Sequence, residues 1–94
     1  MKLQLTQEDI DNSGPGSDFC PIACALKREY KSDYASVGTW RAFVRTTNGD
    51  HINFRLCESA KMIVRTFDHK GKKFLVPMEF ELVEQANIYN ASDY

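Results

Sequence analysis

Asn48-Gly49 sits between two alternating runs, Trp40-Arg41-Ala42-Phe43-Val44-Arg45 and Ile52-Asn53-Phe54-Arg55-Leu56. Asn-Gly in that setting is the strongest short-range signal for a β-hairpin. Side-chain matching selects the loop length. A two-residue loop pairs Arg45 with Ile52 and Arg41 with Leu56, which mixes polar and apolar faces. A three-residue loop pairs Val44 with Ile52, Ala42 with Phe54 and Trp40 with Leu56, which gives one apolar face. A slip of one residue would turn that face to water, so the second register is the expected one. It needs a residue at positive φ after a type I turn, and Gly49 suits that position.

The register also fixes the opposite face. Arg41, Phe43 and Arg45 lie there on the first strand, and His51, Asn53 and Arg55 on the second. Arg41 is then expected opposite Arg55, and like charges placed so are destabilising. One reading is a solvated face whose arginines pair with acids such as Glu79 and Glu81. The other is an anion site with an aromatic floor, formed by these six residues.

Around the hairpin the chain alternates between helical and extended signals. Lys2 to Leu5 is expected as a short strand. Thr6-Gln7-Glu8-Asp9 has the pattern of a capping box, with one helical turn through Ile10. Asn12 to Ser17 is a loop on its dipeptides, and it lacks the Gly-Lys-Ser/Thr end of a phosphate-binding loop. Pro21 suits the first position of a helix running to about Lys31, with Ile22, Ala25, Leu26 and Tyr30 facing inward. Ser59 is expected to cap a second helix from Ala60 to about His69, with Ala60, Ile63, Val64 and Phe67 as its apolar stripe. Gly71 ends it at positive φ, and Lys70, Lys72 and Lys73 complement its negative end. From Phe74 to Val83 the alternation predicts a strand. Pro77 cannot donate to a ladder, which places that strand at an edge or Pro77 at a bulge.

The predicted class is α+β. The order is β-α-β-β-α-β, with a small, mostly antiparallel sheet and two helices packed on one of its faces. Residues 1–84 are expected as a single domain and 85–94 as a flexible tail, in which Ile88, Tyr89 and Tyr94 could dock on a partner or on the sheet. Trp40 heads the inward register and is expected to be buried.

Charge and cysteine usage limit the function classes. The net charge is −1, but acidic ends frame a basic middle, residues 27–73. That suggests internal pairing or a focused basic patch rather than a general DNA-binding protein. Three cysteines, an odd number, and no apolar leader argue against a disulfide framework. Cys20, Cys24 and Cys57 lack zinc-ligand spacing, so buried thiols and no metal are expected. No run approaches the ~20 apolar residues of a membrane span. The expected compartment is the cytoplasm.

With those residues placed, the chain resembles a group of short, largely uncharacterised bacteriophage proteins. The points of similarity are Leu5-Thr6-Gln7-Glu8-Asp9-Ile10, Cys20-Pro21-Ile22-Ala23-Cys24-Ala25-Leu26, Thr66-Phe67-Asp68 and Pro77-Met78-Glu79-Phe80-Glu81-Leu82. Asp9 stands where such proteins often have His, and Cys57 where a Pro often opens the second helix. The resemblance implies phage origin, a host-cell setting and a small α+β fold. It carries no catalytic residues and no cofactor.

An enzyme is not expected. His51 and His69 lie in or beside turns, and Glu79 and Glu81 answer the arginines more simply than they form a catalytic pair. The expected function is non-catalytic binding through the basic, aromatic face. Its object is a nucleotide signal of host defence or, alternatively, a host protein; single-stranded nucleic acid is a third reading. An edge strand offers a route to a homodimer.

Overall fold

The computed structural model describes residues 1–85. Its hairpin has the register that the apolar face requires. Strands β3 (Arg41–Arg45) and β4 (His51–Leu56) pair Val44 with Ile52, Ala42 with Phe54 and Arg41 with Arg55. The Thr46 N–H donates to Asp50 O at 2.7 Å, closing a three-residue loop over Thr47, Asn48 and Gly49. Gly49 takes φ of 90°, a conformation open to glycine at little steric cost.

Three further strands extend this pair. β1 (Lys2–Leu5), β5 (Met78–Gln85) and β2 (Ala35–Val37) complete a five-stranded sheet in the order β1-β5-β4-β3-β2. Every neighbouring pair is antiparallel. The protein is α+β: α1 (Gln7–Asn12), α2 (Pro21–Tyr30) and α3 (Glu58–Lys70) accompany the sheet. α2 lies against β1, β2 and β3, α3 against β4 and β5, and α1 packs on α2.

Alternation along the strands builds the core. Leu3, Leu5, Phe80, Leu82, Phe54, Leu56, Ala42 and Val44 all point to the helix side and are buried. Ile22, Ala25 and Leu26 of α2 and Ala60 and Ile63 of α3 meet them. Burying side chains such as Phe54 and Phe80 contributes about 1.5–3 kcal/mol each. The capping box at the start of α1 is complete: Thr6 Oγ1 accepts from the Asp9 N–H, and Asp9 Oδ2 accepts from the Thr6 N–H. Lys31 ends α2 in the left-handed region, at φ 52°, and Gly71 follows α3 at φ 94°.

The helical turn expected after Thr6 is present as the six-residue α1, and one short strand, β2, joins the expected elements of the antiparallel sheet. Four expectations need correction. Ser59 does not cap α3. The helix starts at Glu58 with Cys57 as N-cap, and Ser59 Oγ accepts the Glu81 N–H at 3.0 Å, tying the helix to β5. The last strand starts at Met78, because Lys72–Phe74 form a 3₁₀ turn, which Leu75 ends. That strand is interior, between β1 and β4, and Pro77 precedes it, so no ladder donor is lost. Trp40 is 65 % exposed. Its carbonyl accepts the Leu56 N–H at 2.8 Å, as the register requires. However, β2 turns back at Gly38, whose N–H donates to Arg41 O at 2.7 Å. Trp40 therefore lies in the connecting turn, where strand alternation no longer sets its direction.

Gln85 is the last residue of β5, one residue into the segment expected as a tail. Ile88, Tyr89 and Tyr94, expected to dock, lie outside the described residues.

Candidate functional site

The face of the sheet away from the helices is a grid set by the four pairings. One row holds Val83, Arg55 and Arg41. The next holds Gln85, Asn53, Phe43 and Ser36. A third pairs His51 with Arg45, and the Arg45 N–H donates to Tyr34 O at 3.0 Å. All six residues expected on this face, Arg41, Phe43, Arg45, His51, Asn53 and Arg55, therefore share it.

Phe43 is the centre of an aromatic group. Its ring centroid lies 5.5 Å from that of Tyr34, edge to face, and 5.1 Å from that of His51. Such contacts are worth about 0.5–1.5 kcal/mol beyond the area they bury. Phe43 and Asn53 are half-buried, as is Arg41, whereas His51, Arg45 and Arg55 are exposed. None of Arg41, Phe43 and Asn53 is without a partner.

The arginines differ in their surroundings. Arg45 is committed: its Nη2 donates to Asp33 Oδ1 at 2.9 Å, and its guanidinium lies 5.5 Å from the Tyr34 ring centre. That hydrogen bond and the Arg45 charge hold the Asp33 carboxyl below its ordinary range. Arg41 and Arg55 face each other across β3 and β4. The acids Glu79 and Glu81 do not answer them directly. Glu81 lies opposite Lys2, and Glu79 opposite Gln4, whose Nε2 donates to Glu79 Oε2 at 3.5 Å. Across from Arg55 on β5 stands Val83, with Glu81 only its diagonal neighbour.

Tyr34 and Asp33 join this surface without having been expected there. Tyr34 could have been found, since Ala35 and Val37 point inward and so turn Tyr34 and Ser36 outward. Asp33 could not, because its contact with Arg45 is not set by strand periodicity.

A concavity lies elsewhere. A groove of about 750 Å³ opens between the loop from Ser13 to Ser17, the turn at Gly38 and the side of α3 bearing Val64, Phe67 and Asp68. It takes nothing from the open face of the sheet. Among the described residues no group of three or more His, Cys, Asp or Glu is placed to hold a metal ion. No helix among them is long and apolar enough to cross a membrane. Comparison with protein-family models, with curated proteins and with solved structures finds no match to this chain.

Proposed function

We propose that this is a small, non-catalytic binding protein of phage origin that holds a nucleotide-like anion on the open face of its sheet inside the host cell, sequestering a signal of host defence. The observation that carries the reading is Arg41 opposite Arg55, one row from Phe43 and Asn53. Like charges at directly opposite positions of a sheet are unfavourable, and a phosphate bound at that pair would accept charge-assisted hydrogen bonds from both arginines. Two residues along a strand span about 6.8 Å. A phosphate at the arginine row therefore leaves the base of one nucleotide beside Phe43, whose ring can stack, and Asn53, whose amide both donates and accepts. Because Arg41, Phe43 and Asn53 already have partners, a ligand exchanges contacts there rather than filling an empty cleft.

Calorimetry with mono-, di- and cyclic nucleotides tests this, comparing wild type with Arg41→Ala and Arg55→Ala. Each substitution is expected to weaken binding tenfold or more, since a hydrogen bond to a charged group contributes about 1.5–3 kcal/mol. Binding should also weaken with added salt. Absence of heat with every nucleotide would exclude the reading.

Trp40 supports a second reading, docking on a host protein. A tryptophan 65 % exposed at a turn is the kind of side chain that anchors protein interfaces. Loss of a host partner on Trp40→Ala, with nucleotides inert, would favour it.

A further inference from the structure

The apolar stripe of α3 is only partly covered. Ala60 and Ile63 are buried, but Val64 and Phe67 are half-buried. Both line the groove between α3, the loop from Ser13 to Ser17 and the turn at Gly38. Its volume is about 750 Å³, within the ~300–1,000 Å³ of sites that hold small organic ligands.

Hydrogen bonds fix the walls of this groove. In the loop, the Gly14 N–H donates to Phe19 O at 2.8 Å and the Phe19 N–H to Gly16 O at 3.2 Å. The Val37 N–H donates to Ser17 O at 2.9 Å, and Lys72 Nζ to Ser13 O at 3.1 Å. A ligand therefore need not order the loop. Gly14 leaves space there that the fold does not require. Its φ is not positive, and a Cβ added to it would meet no atom within 4 Å.

Two charges of opposite sign line the same groove. Asp68 is exposed and, among the described residues, makes no hydrogen bond or ion pair. Burial is the main cause that raises the Cys20 thiol, and the Asp68 charge adds to it, so the carboxylate lies near another residue of the lining. Lys72 Nζ donates to Asp11 O and Ser13 O. Both acceptors are uncharged carbonyls, and an ammonium has a third N–H to give. A cation in the groove would meet Asp68 but also the Lys72 ammonium, and an anion would meet the reverse. A zwitterion answers both charges.

We propose that the groove binds a small zwitterion with an apolar body, in the class of aromatic and large aliphatic amino acids. Its ammonium pairs with Asp68, its carboxylate accepts from Lys72, and its side chain lies on Val64 and Phe67. The site is separate from the open face of the sheet and does not depend on nucleotide binding there.

The test is a nuclear magnetic resonance titration of the full chain with three probes that share one body: phenylalanine, phenylethylamine and phenylpropanoate. Phenylalanine should shift the amides of Gly16, Gly38, Val64 and Phe67 and leave those of Asn53 and Arg55 fixed. Each singly charged probe should bind roughly tenfold more weakly, having lost one charged hydrogen bond. Asp68→Asn changes an exposed side chain without partners, and an unchanged thermal midpoint checks that the fold is kept. In that variant phenylalanine should bind no better than phenylpropanoate, whose own affinity should not fall. Absence of shifts at the groove with every probe would overturn the proposal. So would phenylethylamine binding as tightly as phenylalanine, or Asp68→Asn leaving phenylalanine binding unchanged.

Discussion

The Arg28 side chain grips the Asp9 carboxylate with two hydrogen bonds, Nε to Oδ1 at 3.1 Å and Nη2 to Oδ2 at 3.0 Å. The same Nη2 donates to Gln4 O at 2.8 Å. Asp9 is 3 % exposed and also receives the Thr6 N–H. This one ion pair thereby joins the start of α1, the last turn of α2 and the outer side of β1.

Asp9→Ala should cost about 2–4 kcal/mol of stability, since it removes bonds to a charged group together with half of a capping box. Arg28→Ala leaves a buried carboxylate without its ion partner and should cost at least as much. Urea melts of the two single variants and the double variant measure the coupling. A coupling energy under about 0.5 kcal/mol would reduce the pair to an ordinary surface contact.

Trp40→Ala should change stability by less than about 1 kcal/mol, because most of its ring is already in water. Native emission should be red-shifted and open to iodide quenching. A blue-shifted, protected tryptophan would contradict the turn geometry at Gly38.

Gly71→Ala tests backbone strain alone. A Cβ added there meets no atom within 4 Å. The backbone, at φ 94° and ψ 166°, nevertheless lies in a region reserved almost entirely for glycine. The substitution should cost about 1–3 kcal/mol, read as a lowered thermal midpoint with unchanged far-ultraviolet dichroism.

Burial raises the Cys20 thiol from its ordinary 9.0 to about 11. The folded state keeps a proton that the unfolded state releases above 9, so this contribution to stability is complete below that value. It is lost as pH rises from 9 toward 11, by up to ~1.4 kcal/mol per unit of pH. Cys20→Ala should flatten that part of the pH profile. In thiol labelling at pH 8, Cys24 and Cys57, both half-buried, should react before Cys20, and Cys20 only when denaturant opens the core.

Local chemistry made much of this fold legible. Asn48-Gly49 and the matching of Val44 to Ile52 set the hairpin register, Pro21 set the start of α2, and Thr6 with Asp9 set the first cap. Misplaced elements were those whose direction depends on a distant partner. β2 has only three residues, too few for alternation to register, and without it Trp40 looked like a strand residue. Phe74 and Val76 continue the alternation of β5 but precede the strand, where they are 58 % and 64 % exposed. The six face residues followed from register alone. Their chemistry did not, since the ion pair that commits Arg45 depends on how the chain returns to β3 from α2.

Both margins of the sheet are short and already engaged. On β2 the Val37 N–H is bonded to Ser17 O at 2.9 Å, and Ser36 Oγ lies 3.2 Å from Ser17 Oγ. On β1 the Gln4 carbonyl is held by Arg28. A strand from another molecule would have to break one of these bonds before adding to either side. The sheet is therefore a poor template for open-ended filament growth, and the chain should stay dispersed at concentrations where five strands with bare margins would gel.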